Sequence, residues 1–240
     1  MLIEGRQAEI CENGGEPQVD LRAWRRVDKY RLRDPAFRFL FDKPPPDEVV
    51  AIDCETTGLD ARRDDIVTVA AVPIHGRRIL ASRRFEATVR PSARMKAEAI
   101  KTHRLREGDV AAGRSIEDVL PELLRFIGSR PLVGYYLEFD IAMINRPMRR
   151  LLGIELPNAR IEVSRLYYER KYGDAPPGAE FDLRFAAIVA DLGLPALDQH
   201  DALSDALMTA MMYLCLIDLK QRGIRIPRKR SRPVAQFGGA

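Results

Sequence analysis

Cysteine is scarce in this chain of 240 residues, which carries only Cys11, Cys54 and Cys215. These residues lie far apart, and no CxxC or mixed Cys/His pattern surrounds any of them. Such spacing is typical neither of a disulfide framework nor of a structural zinc site. Residues 1–10 also lack the apolar segment of a signal peptide. We therefore expect a cytoplasmic protein in a reducing compartment.

Long apolar runs, internal repeats and low-complexity tracts are absent from the sequence as well. No run approaches the ~20 apolar residues needed to span a bilayer, so no membrane association is expected. The length allows one well-packed domain with an appendage and is too short for two full domains. Hydrophobic residues make up 46% and charged residues 31% of the chain, which is typical of a globular protein.

The charge balance is mildly basic, with a formal net charge of +4. This balance suits a polyanionic partner, although many basic proteins never touch nucleic acid. Basic residues are concentrated near the two ends of the chain: Arg22, Arg25, Arg26, Arg31, Arg33 and Arg38, then Arg222, Arg225, Arg228, Lys229, Arg230 and Arg232. Either end could hold phosphates, and either could equally serve as a solubilising tail.

Residues 1–46 differ in character from the rest and are predicted to form a basic and aromatic arm. The arm ends at Pro44, Pro45 and Pro46, which form a stiff, extended break. Residues 47–219 then form the main domain, and residues 220–240 form a short basic tail. We expect aromatic side chains to anchor the arm on the domain or on a second subunit; these are Trp24, Tyr30, Phe37, Phe39 and Phe41.

The main domain begins with strands and continues with interleaved helices. The predicted strands are 48–53, 66–74, 79–89 and 131–134, with a hairpin turn at His75-Gly76. The predicted helices are 115–127, 139–150 with an interruption at Pro147, 181–192 and 201–219. This order predicts an α/β fold with a mixed β-sheet flanked by helices.

The strongest motif is DCETTGL, residues 53–59, at the end of the first predicted strand. Strand side chains alternate between faces, so Asp53 and Glu55 point to one side while Cys54 points to the other. Adjacent carboxylates repel each other unless a cation neutralises them, and a hard divalent ion such as Mg²⁺ does so with oxygen ligands. By itself, a pair of acids at this spacing is equally compatible with a solvated acidic turn.

Two further motifs follow the other buried segments. In GYYLEFD, residues 134–140, Asp140 taken alone is best interpreted as a helix N-cap, but it could face the first strand if the two strands are neighbours. In HDALSDA, residues 200–206, Asp205 is expected on the first turns of the last helix and His200 on the loop before it. A single histidine is usually structural, so neither motif decides a function by itself.

Together the three motifs resemble the DEDD superfamily of 3′→5′ exonucleases, in the branch that contains a catalytic histidine. This branch includes the proofreading epsilon subunit of the bacterial replicative polymerase, ribonuclease T and oligoribonuclease. The resemblance covers residues 48–219, is nearest to epsilon-like members and implies a ribonuclease H-like fold. The chain departs from the family pattern at Tyr135-Tyr136-Leu137-Glu138, where many relatives carry His-Asn ahead of Phe-Asp, and this leaves the substrate preference open.

The resemblance also implies a mechanism. Asp53, Glu55, Asp140 and Asp205 would hold two divalent metal ions, Mg²⁺ or Mn²⁺, with Asp53 between them. His200 would take a proton from the attacking water, as an imidazole can near neutral pH. The implied reaction releases nucleoside 5′-monophosphates from the 3′ end of single-stranded DNA, as in proofreading or repair.

Two alternative functions and two partners stay open at this point. One alternative is an RNA or oligoribonucleotide exonuclease, because nothing in the motifs discriminates ribose from deoxyribose. The other is a non-catalytic module that binds nucleic acid or protein. A homodimer and a polymerase partner are both compatible with the sequence.

Four residues are candidates for contact with the substrate. By the resemblance, Thr56 offers backbone and hydroxyl contacts to the terminal 3′-hydroxyl, and Leu59 wedges against the last base or packs in the core. His103 stands where relatives often have Ile-His-Gly, and it either lies near the substrate or has a structural role. Tyr136 could stack on a base, although core packing is expected of at least one of Tyr135 and Tyr136.

Overall fold

The computed structural model describes residues 29–176, 180–195, 197 and 200–228. In this part of the chain, one mixed β-sheet has helices on both faces, as the sequence predicts. Its strands are β1 (Glu48–Thr56), β2 (Ile66–His75), β3 (Arg78–Ile79), β4 (Phe85–Thr88), β5 (Leu132–Gly134) and β6 (Arg160–Glu162). The strand order is β3-β2-β1-β5-β6, and β4 pairs with β2 beside this path.

The α-helices are α1 (Ala97–His103), α2 (Glu107–Val110), α3 (Ile116–Ile127), α4 (Leu137–Leu152), α5 (Val163–Lys171), α6 (Phe185–Asp191) and α7 (Ala202–Gln221). Short 3₁₀ helices span Pro35–Phe41 and Ala81–Arg83. Helices α3 and α4 pack on one face of the sheet, and α7 packs on the other.

Strand β1 is the centre of the sheet and determines where the motifs lie. It runs antiparallel to β2 and parallel to β5. Val50, Ala51 and Ile52 are all buried, because helices cover both faces of the sheet. Strand β1 continues to Thr56, beyond the predicted end at Asp53. Since β1 and β5 are parallel neighbours, the residues that follow each of them meet at the same edge of the sheet.

The prediction of a continuous strand at 79–89 is wrong. The turn at His75-Gly76 is present, with Gly76 at a φ of +56°. After Ile79, however, the chain leaves the extended conformation at Leu80, and a 3₁₀ helix separates β3 from β4. Residues 81–84 are exposed, so no buried face maintains the strand through them.

The predicted interruption at Pro147 is also wrong, because α4 continues through it to Leu152. Pro147 is buried, and hydrophobic residues on both sides of it, Met143 and Met148 among them, belong to the main core. This packing holds the helix together despite the hydrogen bond that proline cannot make. Helix α6 is shorter than predicted and begins at Phe185 instead of residue 181.

Helix α7 lies close to the sheet because small residues face it. Ala202, Ala206 and Ala210 recur every fourth position and are buried against β1 and β2. By length and composition alone, α7 is apolar enough to cross a bilayer, which corrects the expectation from the sequence. In this structure it instead covers the sheet and packs against α5.

The described part of the N-terminal arm packs on α3 and α4. Phe37 and Leu40 are buried in the main core, with Phe39 and Phe41 against it. The backbone N–H of Arg33 donates to the carbonyl of Leu152 at 3.0 Å. Tyr30 is 90% exposed, and Trp24 lies outside the described residues. The division of the chain at residues 46 and 219 stays a prediction.

Candidate active site

Three carboxylates meet where β1 ends and α7 begins. One oxygen atom from each of Asp53, Glu55 and Asp205 lies within 4.8 Å of the other two. Asp205 is in the first turn of α7, as the sequence predicts. Cys54 points to the opposite side and is buried in the core formed with α3 and α4. The alternation of side chains along β1 therefore separates the acidic face from the apolar face.

Asp140 joins this cluster from α4 on the other side of β1. It is 4% exposed, and its Oδ1 atom accepts a hydrogen bond from the backbone N–H of Cys54 at 3.0 Å. The interpretation of Asp140 as an N-cap is wrong, because Tyr136 occupies that position and Asp140 lies inside the first turn. The carboxylate is thus fixed against the backbone between the two acids of β1.

The electrostatics of the cluster are unfavourable without a cation. Burial, and then repulsion by Asp140, Asp205 and Glu55, raise the pKa of Asp53 well above its ordinary value. Burial, and then repulsion by Asp205 and Asp201, raise the pKa of Glu55 to about 7. No positive group among the described residues neutralises these carboxyl groups, so they keep their protons to a higher pH than usual.

The donor set fits hard divalent ions. Among the described residues, the metal-ligating groups that converge on the site are carboxylate oxygens, and the Cys54 thiol faces away. Magnesium and manganese prefer such ligands, whereas zinc and copper favour nitrogen or sulfur. Burial raises the pKa values of Asp140 and Asp205 as well, so a bound cation would displace protons from several groups together.

His200 lies on the loop before α7, as predicted. Its backbone N–H donates to the Asp205 Oδ2 atom at 3.0 Å, and its side chain is exposed. Its φ of +67° is left-handed, which costs a non-glycine residue roughly 1–3 kcal/mol. The carboxylate of Asp201 accepts from the Ser204 N–H at 3.0 Å and caps α7. The backbone of His200 is thereby tied to a site carboxylate while the imidazole stays accessible.

Residues 56–65, which we call the β1–β2 loop, present the remaining parts of the first motif. The Thr56 hydroxyl donates to the Gly58 carbonyl at 2.7 Å, so its proton is used within the loop. Leu59 is 59% exposed. The alternative that Leu59 packs in the core is therefore wrong, and its side chain is available to a ligand.

The β1–β2 loop is supported by residues that the sequence analysis missed. Asp64 is buried and accepts hydrogen bonds from the Asp60 N–H at 2.8 Å and from the Lys96 Nζ at 2.7 Å. Lys96 also donates its backbone N–H to the Thr57 carbonyl. A Cβ atom on Gly58 would lie 2.5 Å from the Asp64 carboxylate, so only glycine fits there. No local pattern distinguishes Asp64 from a surface acid.

A second supporting residue that was missed is Glu162, at the end of β6. Its Oε2 atom accepts from the backbone N–H of Leu137 at 2.9 Å, and its Oε1 atom accepts from the Ser164 hydroxyl at 2.8 Å. The first of these bonds satisfies a free N–H group at the start of α4. Glu162 therefore helps to position the turn that carries Asp140.

His103 is the last residue of α1 and is 6% exposed. Its Nδ1 atom accepts from the Leu105 N–H at 3.1 Å, whereas its Nε2 atom has no hydrogen-bond partner among the described residues. Burial lowers the pKa of His103. A polar contact with the Thr56 backbone counteracts this shift, and repulsion by the nearby His200 lowers the pKa further. His103 thus both closes the end of a helix and lies beside the site.

The two tyrosines of the second motif have different environments. The Tyr135 hydroxyl donates to the Leu183 carbonyl at 3.1 Å, and its ring packs edge-on against Phe185. Tyr136 is half-buried, has a φ of +58° and stacks on Phe139 with ring centroids 6.5 Å apart. Tyr135 therefore has the packing role, and part of Tyr136 stays exposed at the start of α4.

Comparisons with known proteins agree with this geometry. A family model described as "Exonuclease" (RNase_T) matches residues 50–213, a range that includes all four carboxylates and His200. The PolC-type DNA polymerase III of Thermotoga maritima is 28% identical over 178 residues, 72% of this chain but 12% of that protein. The DNA polymerase III subunit epsilon of Aquifex aeolicus is 28% identical over 169 residues, 70% of this chain and 80% of that subunit.

Solved structures share the fold. Exonuclease X in complex with 5′ overhanging duplex DNA superposes with a TM-score of 0.53 and 27% identity, covering 74% of this chain and 95% of that one. The zinc-bound form of the E. coli exonuclease I complex with single-stranded DNA has a TM-score of 0.61. It covers 74% of this chain and 41% of that one at 15% identity, so it shows similarity of fold alone.

Proposed function

The chain belongs to the exonuclease family described by the RNase_T model, and we propose that it is a metal-dependent 3′→5′ exonuclease that acts on single-stranded DNA. The products are nucleoside 5′-monophosphates. The observation that carries the proposal is the convergence of Asp53, Glu55 and Asp205 within 4.8 Å, with Asp140 bound to the same strand. A decayed site would not retain four buried or half-buried acids with raised pKa values.

Asp53, Glu55, Asp140 and Asp205 would hold two divalent ions, Mg²⁺ or Mn²⁺. Asp53 is the carboxylate whose pKa responds to all three of the others, so a bound cation would relieve most repulsion there. When bound, such ions supply an activated water and stabilise the departing 3′-oxygen. Ion binding would displace the protons that the free carboxylates retain, so the affinity for the ions would rise with pH.

His200 accepts the proton of the attacking water. The hydrogen bond from its backbone to Asp205 holds the residue beside the acidic cluster, and the exposed imidazole can turn toward the water. A positioned histidine contributes on the order of 10²–10⁴-fold to such a step. The exposed position also allows His200 to withdraw as the product leaves.

Four residues bind and orient the terminal nucleotide. The exposed Leu59 contacts the last base, and Thr56 presents its backbone and its hydroxyl oxygen to the 3′-hydroxyl. His103 is buried near both Thr56 and His200, and it supports the residues that contact the terminal nucleotide. Tyr136 offers the exposed part of its ring for stacking.

The names of the relatives support DNA as the substrate. Two of them are DNA polymerase III proteins, and the exonuclease X structure, at 27% identity, holds duplex DNA. The chain spans about 12% of the PolC-type relatives, so a polymerase partner is a proposal, with a homodimer as the alternative. The place of action is the cytoplasm, in proofreading or repair.

The test is release of mononucleotides from single-stranded DNA and RNA, labelled at the 3′ or the 5′ end, with Mg²⁺, Mn²⁺ or EDTA. Asp53→Asn and His200→Ala are compared with Asp42→Asn and His75→Ala, which change the same residue types at exposed positions away from the site. We expect metal-dependent shortening from the 3′ end that only the first pair abolishes. Shortening from the 5′ end, or none with folded protein and metal, would refute the proposal, and faster RNA cleavage would reassign the substrate.

A further inference from the structure

A second concave surface lies beside the β1–β2 loop, on the face of the sheet covered by α3 and α4. Its volume is about 590 Å³, within the range of ligand pockets in proteins. The chain after β4, the start of α3 and one side of α4 form its walls. Three arginines lie around it: Arg90, Arg146 and Arg150. We call this surface the arginine groove.

The floor of the arginine groove is apolar. Ile66, Val89 and Met143 contribute to it, and each is nearly fully buried as part of the main core. Pro147 adds a further apolar surface from α4. An apolar floor below guanidinium groups suits a ligand that has both a flat or aliphatic part and an anionic part, as a nucleotide unit does.

The guanidinium groups retain capacity for an anion. Arg150 forms an ion pair only with the exposed Glu117 among the described residues. The backbone N–H of Arg90 donates to the Arg114 carbonyl at 2.8 Å, but its guanidinium has no hydrogen bond or ion pair with any described residue. Each guanidinium has several N–H donors, arranged in a fork that matches phosphate oxygens. A phosphate could therefore bind Arg90 directly and replace Glu117 as the partner of Arg150.

Arg146 and Asp65 connect the arginine groove with the β1–β2 loop. The Asp65 carboxylate forms an ion pair with Arg146 and accepts the backbone N–H of Ser92 at 2.7 Å, so it is already neutralised. The backbone N–H of Asp65 donates to the Thr57 hydroxyl at 3.0 Å. The groove thus begins where the loop that borders the acidic cluster ends.

Helix α4 gives the spacing between the two sites. With a rise of ~1.5 Å per residue, Arg146 lies roughly 9 Å and Arg150 roughly 15 Å along the helix axis from Asp140. Phosphates a few nucleotides away from the cleaved bond fall within this distance in an extended strand.

We propose that the arginine groove binds the substrate strand upstream of the nucleotide being removed, with phosphates on Arg90 and Arg150 and a base or sugar on the apolar floor. This inference rests on the proposed function, because it assumes that the strand end occupies the acidic cluster. It assigns the groove a role in holding long substrates and no role in cleavage.

The experiment compares binding of a trinucleotide, which occupies only the acidic cluster, with binding of a strand of about 12 nucleotides, which reaches the groove. Affinities are measured in the Asp53→Asn background, so that the result does not depend on cleavage. The groove variant is Arg90→Gln/Arg150→Gln. The control is Arg78→Gln/Arg222→Gln. The Arg78 guanidinium has no partner among the described residues, like that of Arg90. The Arg222 side chain is 63% exposed, like that of Arg150, and pairs with Asp218.

We expect the groove variant to bind the longer strand roughly tenfold more weakly, with a salt dependence reduced by about 0.7 per lost phosphate contact. Binding of the trinucleotide, and its turnover by Arg90→Gln/Arg150→Gln with Asp53 intact, should match the control. Equal weakening for both lengths, or no weakening, would overturn the proposal. In a further arm, a free nucleoside 5′-monophosphate is added as a competitor of the longer strand. Competition for the wild type but not for the groove variant would assign the groove to free nucleotides and would also overturn the proposal. If the chain cleaves nothing, the proposed function fails and these affinities can still be measured.

Discussion

Asp53 lies in β1 and Asp64 lies in the β1–β2 loop, and the two aspartates differ in what neutralises them. Burial alone would raise the pKa of Asp64, but hydrogen bonds from Lys96 and from the Asp60 amide outweigh burial and lower it. No cation among the described residues does the same for Asp53; burial and then four neighbouring carboxylates raise its pKa. Asp64 is stabilised by the protein itself, whereas Asp53 requires a cation from solution.

The comparison gives a way to distinguish structural acids from catalytic ones. A buried carboxylate with an internal cation stabilises the fold, and its removal leaves donors unpaired. A buried carboxylate surrounded by others destabilises the metal-free fold and is retained for its ligand. The following predictions test this distinction.

The largest effect is expected when the two aspartates are replaced separately. Asp53→Asn should lower nuclease activity by more than about a hundredfold, yet stabilise the metal-free protein at pH 8 by about 1 kcal/mol because it removes a repelled charge. Asp64→Asn should instead destabilise the protein by about 2 kcal/mol. Thermal unfolding in EDTA and nuclease assays measure both outcomes. Destabilisation by both substitutions would contradict the distinction.

The second prediction concerns pH. The pKa of Glu55 rises from 4.5 to about 7 on folding. A group whose pKa is raised by folding stabilises the fold below the unfolded-state value, and this contribution is lost as pH rises through the folded-state value. Metal-free protein should therefore lose up to about 3 kcal/mol from this group between pH 4.5 and pH 7.

Two controls isolate the contribution of Glu55 from those of other titrating groups. Glu55→Gln should show a smaller loss of stability over the same range in denaturant unfolding. Saturating Mg²⁺ should raise the stability of the wild type more at pH 8 than at pH 5, because protons compete with the ion. A gain from Mg²⁺ that does not depend on pH would contradict the role of the protonated carboxyl groups.

The third prediction concerns Gly58. A methyl group there would lie 2.5 Å from the Asp64 carboxylate and 2.7 Å from the Lys96 Cδ atom, so Gly58→Ala should destabilise the protein by about 2 kcal/mol. It should also raise KM, because the β1–β2 loop must shift. Gly108→Ala is the control, since nothing lies within 4 Å of a Cβ atom at that position. Equal unfolding midpoints for the two variants would exclude the close approach.

The smallest effect is expected for Lys96→Met, which retains the aliphatic part of the side chain and removes the cation. Lys96 is half-exposed, so the loss should be about 1 kcal/mol at pH 8. The loss should shrink only below pH 3.8, as the pH falls through the lowered folded-state pKa of Asp64, and Lys96→Arg should restore most of the stability. A loss of the same size at pH 8 and well below pH 3.8 would show that packing, and not charge, is what Lys96 contributes.

The sequence predicts those parts of the site that depend on local periodicity. Alternation along β1 was enough to place Asp53 and Glu55 on one face, and the His200 motif was correctly placed ahead of a helix. The position of Asp140 depended on whether β1 and β5 are neighbours, which no local pattern determines. Its environment was therefore predicted incorrectly when it was taken alone.

The remaining errors have the same origin. Two supporting contacts form only after distant segments fold together: Asp64 with Lys96, and Glu162 with Leu137. The strand predicted at 79–89 breaks because residues 81–84 have no buried face, and α4 passes Pro147 because the core holds both sides of it. Propensity is a weak guide where tertiary contacts decide the conformation.

The hydrogen bond from the Cys54 backbone to Asp140 limits which residues can occupy the middle of the acidic motif. Position 54 contributes to the site only through its N–H group, while its side chain lies in the core on the other face. A library of all amino acids at this position should therefore retain activity wherever a small or medium apolar side chain is accommodated. Proline should abolish activity, because it has no backbone N–H and would remove the donor that holds Asp140 in place.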